Sequence, residues 1–467
     1  MRLGDIETIA ASRTPIRRLR IALIGDCAVV DTASGTASGT APDTASGTAS
    51  GTASDSAPCT APAVEQGIHL VQLAHELARA GHAVDIFTRR VTPGPHQLAQ
   101  LGKGIRLIRI PAGPPGLVCA DLRPDRIDAF SDAFSRCVAR FVRRQPGRYD
   151  IAHAYFFMAG MVARHLKDAL GLPFVLTLHA PGRAQQRARL AGEALALARA
   201  RIEGELVRAA DRIIAESPQE RSDLRQLHGE GCGMPGSRIE LVPRGFSPAE
   251  LWPVPMPEAR ARLGLEPGRF IVLQLGRIAP RKGVDTVIHG LAMLRHRHGI
   301  GAQLLVVGGE AGVASDHTGP ELARLRNFAT GLGIAAQVRF TGQRPRATLR
   351  DYYSAAEVFA CTPWYEPFGI TPIEAMACAR PVVGSEVGGI KSTIDDGVTG
   401  FLVPSRDPEA LAERLARLHR HPELARAMGE AGRRRACEHA TWHQLAAQLH
   451  AIYADVVQEN LLATHPT

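Results

Sequence analysis

The sequence predicts an α/β protein made of two parallel-sheet domains, and three observations carry that prediction. The chain has 467 residues, more than one compact core normally organises. Short β-rich runs alternate with longer helical patterns almost throughout. The β-rich runs are apolar along most of their length, as expected of parallel sheets covered on both faces by helices.

In the first half, RIALIGD, AVDIFTR, IRLIRIPAG, DIAHAY, FVLTLHA, RIIAES and IELVPRG read as strands. QLAHELARAGH and RIDAFSDAFSRCVARFVRR carry helical periodicity between them. The second half repeats the scheme with FIVLQLG, QLLVVGG, VRFTG, VFACTP, PVVGS and GFLVP. A proline-rich stretch between Pro243 and Gly268 separates the halves. The expected domains are an N-terminal extension at 1–18, a first domain at 19–248 and a second at 249–440. Residues 441–467 form a last helix, with an apolar face and no strand after it, expected to cross back to the first domain. The twelve-residue unit DTASGTASGTAP begins at Asp31 and restarts at Asp43. It sits between the first strand and the first helix, and the low-complexity insertion at 31–62 is expected to be disordered.

Composition narrows the function. Net charge is +9, which suits anionic ligands or an acidic membrane surface. Basic residues are scattered and aromatics scarce, so no nucleic-acid partner is expected. The eight cysteines form no CxxC pair and read as reduced thiols of a cytoplasmic protein. RTPIRRLR followed by IALIGDCAVV has the look of a secretory signal, but Gly25 and Asp26 interrupt it and the strand reading is better. No run approaches the roughly 20 apolar residues of a membrane span, so membrane contact is expected to be peripheral at most. Oligomeric state is left open.

Ligands of open α/β sheets bind beyond the carboxyl ends of the strands, so the loops after strands hold the candidate residues. After FIVLQLG, Gly276 and the loop RIAPRKGVD place Arg277 and Lys282 near a helix start, a diphosphate site or two solvated charges. After VFAC, the loop carries Glu366, Phe368, Gly369 and Ile370, whose amides approach another helix N-terminus. Thr371, Pro372 and Glu374 fit N-cap, first and third helical positions, so a capping box is one reading of Glu374 beside a ligand-binding one. A glycosidase-like pairing of Glu366 with Glu374 needs a separation that the sequence does not fix. His153 and His179 lie at the ends of adjacent strands, with Arg183 and Gly67 nearby in loop and helix patterns. The chain has no DxD motif, no HExxH and no close His/Cys/Asp cluster, so no metal or other cofactor is expected. The first strand lacks a following GxGxxG, which argues against nicotinamide binding.

GRIAPRKGVD, LLVVGGE, VRFTG, YEPFGITPIEAMA and GGIKSTIDDGVTGFLVP together resemble the retaining glycosyltransferases of family 4, which have the GT-B fold. TLHAPGR and LARAGHAVDIFTRR extend the likeness into the first half, towards the sucrose-phosphate-synthase-like and D-inositol-3-phosphate-glycosyltransferase-like branch. The resemblance implies two Rossmann-like domains facing a central cleft, and metal-independent transfer of a hexose from a UDP- or GDP-sugar such as UDP-glucose to a hydroxyl acceptor. The acceptor would be a small molecule, a sugar phosphate or a lipid-linked group. It implies that Arg277 and Lys282 hold the donor diphosphate, with amides around Phe368 to Ile370 assisting. Glu366 would bind sugar hydroxyls, Glu374 the ribose, and His179 would sit beside the donor sugar. Arg183, His153 and Gly67 would belong to the acceptor side.

Two departures bear on this. Family members usually carry a glycine pair before the first helix, and that place falls on Val64 and Glu65 here. The alternative function is therefore a catalytically impaired relative that binds nucleotide sugar or a partner. The second is Ala379, where the family often has glycine; if φ is positive there, alanine costs about 1 kcal/mol.

Overall fold

A computed structural model describes residues 17–25, 61–90, 96–112, 127–179, 193–228, 238–309 and 319–464, with the side chains of 61–66, 193–196 and 464 left aside. The described residues form two compact units. The first draws on 15–214, 231–238 and 449–467, the second on 215–230 and 239–448.

The first sheet contains β1 (Arg20–Gly25), β2 (Ala83–Arg90), β3 (Gln97–Gly102), β4 (Ile105–Pro111), β5 (Ile151–Tyr155), β6 (Phe174–Thr177), β7 (Arg212–Ala215) and β8 (Ile239–Leu241). Its helices are α1 (Ala61–Arg79), α2 (Ile127–Arg143), α3 (Phe157–Leu170), α4 (Glu193–Ala209) and α5 (Pro218–His228). The strand order is β3-β4-β2-β1-β5-β6-β7-β8. β1 pairs in parallel with both β2 and β5, so strand order reverses there. β1, β5 and β6 are buried along nearly their whole length, as their unbroken apolar runs predict. β3 departs from the all-parallel expectation. QLAQLG runs antiparallel to β4 and closes the sheet's edge, an arrangement that a hairpin needs no helix to make.

In the second unit, α6 (Met256–Leu263) precedes β9 (Phe270–Leu275), α7 (Val284–His298), β10 (Ala302–Val307), α8 (Pro320–Gly331), β11 (Val338–Gly342), α9 (Arg346–Ala355) and β12 (Val358–Cys361). Then come α10 (Ile370–Ala377), β13 (Val382–Ser385), α11 (Ile390–Thr393), β14 (Gly400–Val403), α12 (Pro408–Arg420), α13 (Pro422–His439) and α14 (Trp442–Thr464). Its sheet order is β11-β10-β9-β12-β13-β14, all parallel where pairs are resolved. Along β9, Ile271 and Leu273 enter one apolar cluster and Val272 the other. Leu305 and Val307 in β10 likewise oppose Leu304 and Val306. The period of two thus feeds a separate core on each face. Helix α14 groups with the second unit over 442–448 and with the first over 449–464.

The low-complexity insertion falls almost wholly outside the described residues; its last two positions, 61 and 62, begin α1. Val64 and Glu65 therefore lie inside α1 and not ahead of it, because the apolar helical pattern extends further towards the N-terminus than LARAGH alone suggests. Ala379 has φ 55°, the left-handed conformation that glycine favours. No helix among the described residues is long and apolar enough to cross a membrane.

Candidate active site

In the second unit, strand order reverses between β9 and β12, the switch point at which open α/β sheets bind ligands. The loops after these two strands are knitted together. Thr362 Oγ1 donates to the Gly283 carbonyl at 2.9 Å, and the Trp364 amide donates to the Arg281 carbonyl at 3.0 Å. Gly283 has φ 65°, and a Cβ there would sit 1.9 Å from the Thr362 carbonyl oxygen, so glycine is required twice over.

This contact brings Lys282 and Glu366 together. Lys282 Nζ is ion-paired to Glu366 Oε2, and Arg281 Nη1 lies 3.9 Å from the same oxygen. Burial alone would raise the Glu366 pKa, but the charges of Lys282 and Arg281 and the Gly369 amide outweigh it and hold the carboxyl below its ordinary value. Glu366 is therefore an ionised, acceptor-only group. Arg277 is half-buried in the same loop, and Gly276 has φ 145° with open space where a side chain would be. The sequence missed Arg281, although it stands in the same PRK stretch as Lys282.

The segment after Glu366 enters α10 differently from the sequence expectation. Gly369, with φ 75°, is the N-cap, and no side chain caps the helix. Glu374 then falls too deep for a capping box; glycine supplied the turn that Thr371 was expected to make. Instead, Glu374 is buried and accepts from Tyr353 Oη at 2.9 Å and Arg346 Nη1 at 3.3 Å. The Gly369 amide lies close enough to Glu366 to help hold its carboxyl ionised. Pro372 has no N–H, which leaves Ile370 and Thr371 as the first-turn donors at the helix's positive end. Phe368 and Ile370 are half-buried beside it.

In the first unit, His179 follows β6 with φ 51° and is half-buried. Its ring stacks on Tyr155, centroids 5.6 Å apart, and meets the edge of His69 at 5.9 Å. His153 does not fulfil the acceptor-side expectation. It is fully buried, its Nδ1 shares a hydrogen bond with Tyr453 Oη at 2.5 Å, and its Nε2 shares one with Thr177 Oγ1 at 2.8 Å. Residue 153 is the middle residue of β5, all five of which are buried, and both ring nitrogens are spent on the core. Gly67 is buried in the second turn of α1. Arg183 lies outside the described residues.

Two Rossmann-like sheets, each with candidate residues beyond its strand ends, define a glycosyltransferase of the GT-B class once set beside known proteins. The family model for glycosyl transferases group 1 matches residues 255–435, and that for the glycosyl transferase 4-like domain matches 66–245. D-inositol 3-phosphate glycosyltransferase 1 of Catenulispora acidiphila is 32% identical over 397 residues, covering 84% of this chain and 90% of that protein. Sucrose-phosphate synthase from Thermosynechococcus elongatus superposes with a TM-score of 0.75 at 29% identity, over 95% of this chain and 100% of that one. Anabaena Alr3699/HepE, solved in complex with UDP-glucose, shares the fold with a TM-score of 0.66 at 18% identity, over 94% and 100% of the two chains. The chain belongs to glycosyltransferase family 4, in the branch of the D-inositol 3-phosphate glycosyltransferases and sucrose-phosphate synthases.

Proposed function

We propose that this glycosyltransferase moves a hexose from a UDP- or GDP-sugar to a hydroxyl acceptor with retention of configuration and without a metal ion. The observation that carries the reading is the Lys282–Glu366 pair at the switch point, with Arg281 beside it. Breaking a sugar–phosphate bond builds negative charge on the leaving diphosphate. Lys282, Arg277 and the positive end of α10 would stabilise that charge from fixed positions, which is where electrostatic catalysis gains most. Glu366, held ionised, would accept hydrogen bonds from the sugar hydroxyls. Glu374, beside Tyr353 and Arg346, would receive the ribose hydroxyls, the role implied by the family likeness. His179 keeps the role implied by the family likeness, beside the donor sugar. The relatives' names point to phosphorylated acceptors, and an inositol or sugar phosphate is the first class to try.

The test has two stages. Thermal stabilisation by UDP, GDP, ADP and their sugars identifies the donor. Release of nucleotide is then followed with phosphorylated acceptors, with and without EDTA, and the anomeric configuration of the product is read by NMR. Stabilisation, EDTA-insensitive turnover and a retained anomer are expected. No stabilisation by any nucleotide sinks the donor assignment; stabilisation without turnover across the acceptor panel favours the impaired relative. An inverted anomer or loss of turnover with EDTA overturns the corresponding part of the mechanism.

A further inference from the structure

No motif in the sequence points to Arg244, which follows β8, yet it is built into the donor-side loop. Its guanidinium lies 4.4 Å from the centroid of the Phe368 ring. Arg244 Nε donates to Glu216 Oε1 at 3.1 Å, and the two side chains are only 10% and 3% exposed. The Glu216 backbone is fixed in turn, its amide donating to Glu220 Oε2 at 2.7 Å at the start of α5. Phe368 directly precedes Gly369, the N-cap of α10. The same stretch is pressed by Gly388 and Gly389: a Cβ on them would lie 1.9 Å from the Glu366 carbonyl oxygen and 2.3 Å from that of Phe368. Residues 366–369 therefore have close backbone neighbours and, at the ring, a cation anchored by a buried acid.

We infer that Arg244 is a positioning residue: it clamps the Phe368 ring and so sets the direction in which the Ile370 and Thr371 amides present the positive end of α10 to the donor diphosphate. The inference rests on the donor-site reading above. It differs from a role in simple charge attraction, because Glu216 already offsets the guanidinium charge. A cation held over the ring at a partly buried site also has enough energy to hold a loop conformation.

The test uses the full chain carrying Arg244→Gln, Arg244→Lys, Phe368→Leu, the double variant Arg244→Gln/Phe368→Leu, and Glu216→Gln. Calorimetry compares UDP with UMP and GDP with GMP, and circular dichroism confirms the fold of each variant. Arg244→Gln should weaken diphosphate binding about three- to thirty-fold and shrink the preference for diphosphate over monophosphate. Arg244→Lys should restore much of that preference, since lysine keeps the cation. Phe368→Leu should mimic Arg244→Gln, and the double variant should be no worse than either single one. Additive losses, or tighter diphosphate binding in Glu216→Gln, overturn the clamp in favour of independent or purely electrostatic roles. If Arg244→Gln does not fold, Arg244→Lys and Phe368→Leu still decide: binding unchanged in Phe368→Leu overturns the inference. A wild-type protein that binds no nucleoside diphosphate overturns the donor reading, and this inference with it. Wild-type binding that Arg244→Gln leaves unaltered overturns this inference alone.

Discussion

The two ends of the strands carry the same chemical pieces, buried or half-buried acids beside cations, and use them differently. Near the strand starts, Asp85 accepts from Arg106 Nε at 2.7 Å and also from Tyr149. Glu357 accepts from Arg260 Nη2 at 2.6 Å and from the Ile271 amide at 2.7 Å. Asp211 caps the Phe174 amide at 2.8 Å and Asp150 the Arg20 amide at 2.7 Å. Glu357, Asp211 and Asp150 thus satisfy backbone donors where strands begin, and Asp85, which also accepts from Arg20 Nη2 at 3.5 Å, ties three side chains across the sheet. Beyond the strand finishes, Glu366 and Glu374 bind side chains and a helix-entry amide. A buried ion pair is therefore no sign of function by itself. What separates the two ends is whether the acid secures the sheet or stands in the loops at the switch point.

Substitutions at the two ends can break that distinction. Glu366→Gln should lower kcat/KM of the folded protein about 10²–10³-fold, beyond any stability lost by leaving Lys282 without its carboxylate. A large fall in Tm with normal turnover per folded molecule would place Glu366 among the structural acids. Asp85→Asn should do the opposite and cost about 3 kcal/mol in denaturant unfolding, while turnover of the folded fraction persists. Ala379→Gly should stabilise by about 1 kcal/mol by relieving the left-handed backbone; a Tm no higher than wild type would show that the turn carries no strain.

His82 supplies the smallest and most selective test. Its Nδ1 accepts the Leu19 amide just before β1, its ring stacks on His450, and burial, with the neighbouring His450 and Arg18, lowers its pKa to about 4. Its ordinary value is 6.5, so between these values the unfolded chain binds more protons than the folded one. Stability should then fall as pH drops from 6.5 towards about 4. His82→Asn keeps an acceptor but removes the titration, and should flatten the Tm–pH slope in that window. An unchanged slope would assign the acid sensitivity elsewhere.

Strand identity was legible because a parallel strand buried on both faces leaves a long apolar run, as FIVLQL and VFAC do. β3 was not, because QLAQLG offers neither an unbroken apolar run nor strict alternation, and no residue of it is fully buried. Lys282 and Glu366 were legible from their place after strands; their direct pairing was not, since it depends on Gly283 letting one loop rest on the other. The histidine pair shows the limit of position alone. His153 and His179 look alike in the sequence, but the first is the middle residue of the fully buried β5 while the second lies beyond the end of β6. The capping-box reading of Glu374 fails because the helix entry was assigned to Thr371, whereas the left-handed Gly369 performs it. Arg244 had no local signal beyond its place after a strand.

The antiparallel strand β3 has a consequence for how the protein behaves in concentrated solution. Without it, β4 would present an unpaired row of amides and carbonyls from a segment, IRLIRIP, rich in β-forming residues, a ready template for another chain. β3 covers that edge and turns Gln97, Gln100 and a single exposed apolar residue, Leu98, partly towards solvent. Shortening the hairpin to trim the domain would thus trade a small, polar border for a sticky one, and the loss would show first as aggregation during purification, before any change in the chemistry at the far end of the strands.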